Sequence, residues 1–367
     1  MNIRRISRQI DLGGLKIGGG APVSVQSMTN TKTEDIEATL GQIKALAAGG
    51  CDIVRLSVPH MAAAKALAQI VQQATVPLVA DIHFDYRLAL AAIKAGVSGL
   101  RLNPGNITEV EQVREVVHAA KAAGTVIRVG VNGGSLERRL LEKFGGPTAE
   151  ALCESALSQV AILEKEGFYN TKISLKTSFA PLLIEANRLL AARCDYPLHL
   201  GLTEAGTAYK GAIRSAAALG ALLNEGIGDT IRVSLAGDPL AEVMAAQEIL
   251  RVFGLYNKGF EYIVCPTCAR TSVDVAALAA KVERALTGIL PPQPLKIAVM
   301  GCVVNGPGEA READVAVVGA GNEGVLYVKG QKVGRFPEEQ LFSELLRQVN
   351  ILESAATKAV SPIDQFK

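Results

Sequence analysis

VIRVGVNGGS (126–135) sets an arginine, Arg128, inside a β-branched run that ends in asparagine and glycine. A guanidinium in an apolar strand costs several kcal/mol unless its charge is met, so the residue has a reason to be there. Outward from this stretch the same unit recurs along residues 21–237: a short β-branched run ending in polar residues, then an Ala/Leu-rich helical stretch. The other strand candidates are VSVQSMT (23–29), IVRLSV (53–58), PLVADIHF (77–84), GLRLNPG (99–105), KISLKTS (172–178), LHLGLTEAG (198–206) and TIRVSLAG (230–237). Helix candidates fall at 34–49, 60–73, 86–95, 108–123, 148–166, 180–192, 207–224 and 239–251. Eight βα units in order imply a parallel sheet with right-handed crossovers, and eight is the number that closes a (β/α)8 TIM barrel. The competing doubly wound open sheet would carry a GxGxxG turn after its first strand, and none follows 23–29. IDLGGLKIGGG (10–20) reads as a hairpin that plugs the bottom of the barrel.

The pattern breaks at RVFGLYNKGF (251–260). Beyond it lie a strand EYIVC (261–265), a helix (272–286), a strand LKIAVMG (295–301) and a loop through NGPGE. A strand ADVAVVG (313–319), a hairpin GVLYVKGQKVGRF and an amphipathic helix (337–352) complete a small α+β domain. The expected organisation is α/β: a barrel over 1–255 followed by this second domain over 256–367.

With 367 residues, 49% apolar and 20% charged, the chain suits a soluble two-domain α/β protein. A net charge of +2 argues against wholesale nucleic-acid binding. The basic N-terminus has no apolar stretch behind it, and no run of eighteen apolar residues occurs, so the expectation is a cytoplasmic protein without a membrane span. Six cysteines do not suggest a disulfide framework in that compartment. Cys51, Cys153 and Cys194 are scattered among apolar or small residues and read as buried thiols.

The other three cluster. Cys265 and Cys268 form CPTC at a strand end, and Cys302 follows 34 residues after Cys268 at the end of the next long strand. Spacing alone leaves a redox dithiol, a zinc site and an iron–sulfur cluster open. Zinc would lack a ligand, because all four histidines lie in the barrel, and a dithiol would not need Cys302. The tight loop Asn305-Gly306-Pro307-Gly308-Glu309 could turn Glu309 back towards a cluster.

Barrel strand ends build active sites. Here they carry Arg55, Arg101, Arg128, Lys172, Lys176 and Arg232, with Asn103, Asn132 and Ser234 beside them. Converging cations of this kind make a phosphate or diphosphate pocket. The bland alternative is salt bridges to Asp81 and Glu204. Asp81 and His83 close the third strand. Glu204 closes the seventh, where burial could shift its pKa for acid–base work. His199 reads as a satisfied core histidine.

VQSMTNT, ADIHF, RLNPGN, GVNGGSL, LGLTEAG, EYIVCPTCART and GCVVNGPGE together resemble the bacterial, flavodoxin-dependent 4-hydroxy-3-methylbut-2-enyl diphosphate synthases of the methylerythritol phosphate route to isoprenoids. The resemblance runs across essentially the whole chain. It implies reductive ring opening of 2-C-methyl-D-erythritol 2,4-cyclodiphosphate with loss of water, and flavodoxin or ferredoxin as electron donor. It implies a 4Fe-4S cluster on Cys265, Cys268 and Cys302, with Glu309 as resting ligand of the fourth iron. It also implies a head-to-tail homodimer. Carried over by position, Arg55, Arg101, Arg128, Lys172 and Arg232 match the diphosphate grip, and Asn132, Ser234 and Asn305 match substrate contacts. Glu204 matches the barrel carboxylate that donates a proton, and Asp81 and His83 are carried with them. The alternative is a phosphate-binding barrel bearing a structural zinc module. A dihydropteroate synthase would share the barrel and lack the second domain.

Overall fold

A computed structural model describes residues 3–107 and 109–360. The chain divides into two compact units, Met1–Tyr256 and Asn257–Lys367. In the first, β1 (Ile10–Leu12) and β2 (Leu15–Ile17) pair as an antiparallel hairpin. Eight parallel strands follow: β3 (Ser24–Met28), β4 (Ile53–Ser57), β5 (Leu78–Asp81), β6 (Gly99–Arg101), β7 (Val126–Asn132), β8 (Thr171–Lys176), β9 (His199–Leu200) and β10 (Thr230–Ile231). Their spatial order is β8-β7-β6-β5-β4-β3-β10-β9, and a parallel bridge between Ile173 and Leu198 joins the two ends. The sheet is the TIM barrel expected from the sequence.

Helices α1 (Ile36–Ala48), α2 (Met61–Gln73), α3 (Tyr86–Lys94), α4 (Val110–Ala123), α5 (Arg138–Phe144), α6 (Ala149–Lys165), α7 (Ala180–Arg193), α8 (Ala208–Asn224) and α9 (Pro239–Val252) alternate with the strands. Side chains of the preceding residues start several of them: Asp35, Asp85, Thr148 and Asp238 each accept a bond from a backbone N–H of the first turn. Eight of these helices match the sequence reading. The extra one, α5, was not expected, because its seven residues carry only one buried side chain, Leu140, and so no apolar period. β9 and β10 are also shorter than the runs at 198–206 and 230–237. Beyond them the chain is irregular, and Arg232 and Ser234 lie just past the end of β10.

The hairpin seals the N-terminal end of the barrel. Ile10, Leu12 and Ile17 pack in one apolar cluster with Ile53, Val79 and Val126, which start or nearly start their strands. Gly99 makes the fit possible, since a Cβ there would lie 2.8 Å from the Leu12 side chain. The plug expected from IDLGGLKIGGG is present.

In the second unit β11 (Phe260–Val264), β12 (Leu295–Met300) and β13 (Val315–Ala320) are parallel. β14 (Glu323–Val328) and β15 (Gln331–Pro337) extend the sheet antiparallel. α10 (Val275–Leu286) and α12 (Glu338–Val360) cover one face with a core built on Leu278, Val282, Ile297, Val317, Leu341 and Leu345. α11 (Gly306–Glu312) covers the other, against Ala298, Met300 and Val318. The NGPGE stretch is therefore a helix start and not a loop. Pro307 sits in its first turn, where a missing N–H costs nothing, and Gly306 lets the helix approach Val318, whose side chain a Cβ would meet at 2.3 Å. Among the described residues no helix is long and apolar enough to cross a membrane.

Candidate active site

The parallel register brings the polar strand ends together at the C-terminal mouth of the barrel. Arg101 pairs with Arg128, and Arg128 with Lys172, across β6, β7 and β8. A cavity of about 120 Å³ opens there, lined by Arg55, Arg101, Arg128, Lys176 and Arg232 with Asp81, His83, Asn132, Ser174, Thr203 and Ser234. Four arginines and Lys176 face one lining carboxylate, Asp81. Arg55, Arg101 and Arg128 are 8%, 8% and 2% exposed, so water screens them little.

Their partners are few. Asp81 lies 3.7 Å from Arg55 and 3.6 Å from Arg101, beyond hydrogen-bond contact with either. Arg55 also points Nε and Nη2 at the Met28 sulfur, at 3.1 and 3.0 Å. Arg101 donates to the Gly130 carbonyl at 3.2 Å and meets His83 Nδ1 at 3.0 Å. Gly130 must be glycine for this, because a Cβ would stand 3.0 Å from Arg101 Nε. Arg128 is the extreme case: its Nε and Nη1 are buried with no hydrogen-bond partner. Burial pulls the Arg55 guanidinium down to about 10, and the neighbouring arginines add to this against the pull of Asp81. The same causes drive Arg128 well below its ordinary value. Burial alone would raise the Asp81 carboxyl, but Arg55, Arg101 and Arg128 together hold it below the usual range. Groups so arranged destabilise the empty site and are stabilised by an incoming anion.

The structure separates two lysines that the sequence leaves side by side. Lys176 lines the cavity, whereas Lys172 lies one layer deeper on the same face of β8, 1% exposed, with Nζ unpartnered. Asn103 also stands off the lining. Its amide accepts from Gly130 N and donates to Gly130 O, both at 2.9 Å, and so braces β7. Glu204 is exposed, not buried among apolar strands, and its backbone holds a left-handed φ of 54°. The burial expected for it is therefore absent. His199 is fully buried, with Nδ1 2.6 Å from Thr230 Oγ1 and Nε2 unpartnered. Burial, with Arg128 and Lys176 nearby, keeps it neutral.

Glu242 of α9 is a site residue that the sequence reading missed. It is 4% exposed and takes Arg232 in a two-bond grip, Nη2–Oε1 at 3.1 Å and Nε–Oε2 at 3.2 Å. Ser27 Oγ and Leu235 N also donate to it, at 2.9 and 3.1 Å. The signal was its place on the buried stripe of α9, beside Val243 and one turn from Pro239 and Ala246. Glu242, and not Glu204, is the second carboxylate that pairs with the barrel arginines.

In the second unit, Cys265 and Cys302 follow the C-terminal ends of β11 and β12, which pair directly at Val264 and Val299. Cys268 sits in the turn after Cys265, where Cys268 N donates to Thr271 Oγ1 and Thr271 N to Cys268 O, both at 3.0 Å. Thr267 between the two cysteines holds a left-handed φ of 63°. Glu309, half-buried, and Asn305, exposed, both lie on the α11 start that follows Cys302. Cys265 and Cys302 are half-buried, Cys268 is exposed, and none is in a disulfide. Among the described residues no three His, Cys, Asp or Glu side chains converge in a geometry that holds a metal ion. The donor set nevertheless fits a metal group in kind, with two free thiols just past adjoining strand ends, a third in the turn after Cys265, and a glycine, Gly301, letting Thr271 close to 2.9 Å of its would-be Cβ. The scattered cysteines differ. Cys51 and Cys153 are buried, with burial pushing the Cys51 thiol up to about 12, while Cys194 is only half-buried.

Comparison with known proteins covers both units. A relative in Caldanaerobacter subterraneus subsp. tengcongensis is 54% identical over 95% of this chain and 98% of its own length. One in Geobacter sulfurreducens is 55% identical over 94% and 97%. Both are named 4-hydroxy-3-methylbut-2-en-1-yl diphosphate synthase (flavodoxin). A solved dihydropteroate synthase from Stenotrophomonas maltophilia covers 68% of this chain and 97% of its own, at 17% identity and a TM-score of 0.49. The family model described as GcpE TIM-barrel domain matches residues 7–247, and that of the GcpE protein C-terminal domain matches 261–351. With both domains present in order, the chain belongs to the GcpE family.

Proposed function

We propose that this chain catalyses the reductive ring opening of 2-C-methyl-D-erythritol 2,4-cyclodiphosphate to 4-hydroxy-3-methylbut-2-enyl diphosphate with loss of water. The observation that carries the reading is the cavity in which four arginines and Lys176 face a single lining carboxylate, with Nε and Nη1 of Arg128 left unpartnered. A cyclic diphosphate supplies the missing negative charge, and arginine forks suit its oxygens. Arg55, Arg101, Arg128, Lys176 and Arg232 bind it, and Glu242 aims Arg232 through their two-bond contact. Asn132 and Ser234 offer neutral hydrogen bonds to the carbon skeleton. Glu204, exposed at the mouth, hands a proton to the departing oxygen and stays ready to be recharged from water.

Cys265, Cys268 and Cys302 would hold a 4Fe-4S cluster, with Glu309 of α11 as a fourth ligand. When bound, that group supplies electrons one at a time and a Lewis-acidic iron. Flavodoxin or ferredoxin delivers the electrons, and the working form is a homodimer in the cytoplasm.

The test is anaerobic purification followed by iron analysis and an assay with the cyclodiphosphate and reduced flavodoxin. A brown protein absorbing near 400 nm, with about four irons per chain and turnover, is the expected result. Stoichiometric zinc without iron, or iron without turnover, would refute it.

A further inference from the structure

Lys172 was expected to grip the diphosphate, but it lies below the cavity. Its Nζ is buried, touches no acceptor, and the side chain is 1% exposed. Every interior strand that faces it adds charge of the same sign or none it can use. Arg128 stands opposite in register on β7, Arg55 projects from β4, Arg101 from β6, Arg232 from β10, and Lys176 lies above on β8 itself. His199 on β9 is neutral, and β3 offers the uncharged Gln26. The carboxylates are committed elsewhere, Asp81 between Arg55 and Arg101 and Glu242 on Arg232. The other face of β8, through Ile173 and Leu175, joins the apolar core under the helices.

We propose that Lys172 is a variable charge beneath the cavity, giving up its proton readily while the site is empty and taking one up as the diphosphate binds above it. The inference rests on the diphosphate reading given above. In the empty barrel the ammonium form is shut off from bulk solvent and meets no carboxylate that would stabilise it. Burial first, then Arg128 and Arg55, bring this lysine down from 10.5 to about 7. An anion in the cavity reverses the local potential and favours the charged form. The cyclodiphosphate carries one acidic oxygen on each phosphorus, both ionised at neutral pH, so it has no proton of its own to exchange. Lys176, also depressed by burial, can add to the uptake.

The experiment is calorimetric titration of the holoenzyme with the cyclodiphosphate, without reductant, at about pH 8 in two buffers of different ionisation heat. Uptake of about one proton or more is expected, with about one proton lost from that uptake in Lys172→Met. Binding with no uptake, or unchanged uptake in the variant, overturns the proposal while leaving the substrate reading intact. If the variant does not fold, wild-type affinity decides. It should weaken by up to about tenfold per pH unit above about pH 7, and a flat profile overturns the proposal. Absence of binding would instead refute the substrate reading, and stability then tests Lys172 alone. A lysine with a depressed folded-state pKa binds its proton more readily in the unfolded chain, so wild-type stability should rise with pH between about 7 and 10.5. Lys172→Met should lose about one proton's worth of that slope, and equal slopes overturn the assignment.

Discussion

The barrel mouth and the cysteine edge of the second sheet are both strand-end sites, yet they are prepared to opposite degrees. The barrel holds Arg55, Arg101 and Arg128 nearly dry on paired strands, with β7 braced by Asn103 and Arg232 aimed by Glu242, before any anion arrives. The cysteines stand half-buried or exposed, and among the described residues they form no group placed to hold a metal ion. Anion recognition is thus built into the paired strands of the barrel, and its cost is carried permanently as like-charge crowding. The thiols carry no such cost, and what they bind must draw them together. A site of the first kind weakens the empty protein, and a site of the second kind is stabilised by its contents.

The largest effect expected is at the cysteine edge: Cys302→Ala should abolish metal binding and turnover together, measured by iron content and assay. Retained turnover would remove the cluster from the comparison. Next comes Glu204→Gln, which should cut kcat by roughly 10²–10⁴-fold with substrate affinity kept, as removal of a proton donor does. Normal kcat would deprive the exposed Glu204 of that role. Arg128→Met should weaken cyclodiphosphate binding by about 2–4 kcal/mol while raising the stability of the empty protein by about 1–4 kcal/mol. That opposite pair of signs is the sharpest test of a strained, preformed cavity, and a loss in both would mean that Arg128 is structural. The smallest is Gly319→Ala in the second sheet, where a Cβ would stand 2.5 Å from the Gly301 carbonyl next to Cys302. It should cost about 1–3 kcal/mol in thermal unfolding of that unit and leave substrate binding unchanged.

The arginines were legible because charge inside a β-branched run is costly and therefore conspicuous. The repeat of strand and helix made the barrel legible in the same way. What stayed hidden had no such contrast. Glu242 sits in a helix, where glutamate is ordinary, and only its phase on the buried stripe marks it. Lys172 and Lys176 share one face of β8, so period-two reading places both inward and cannot say which reaches the cavity. Gly306-Pro307-Gly308 carries turn residues, but the proline is tolerated at a helix start and the glycine serves close packing against Val318. Glu204 looked buried because its strand candidate ran to residue 206, whereas the ladder ends at Leu200.

The hairpin that closes the lower end of the barrel leaves the vessel with a single doorway. Leu12 and Ile17 are fully buried, so nothing passes beneath Arg128 and Lys172. Arrival and departure must then take turns at the same threshold, and a diphosphate product still resident keeps the next diphosphate waiting outside. Product should accordingly compete with substrate in steady-state kinetics, and the pace of the whole cycle answers to how readily the doorway clears.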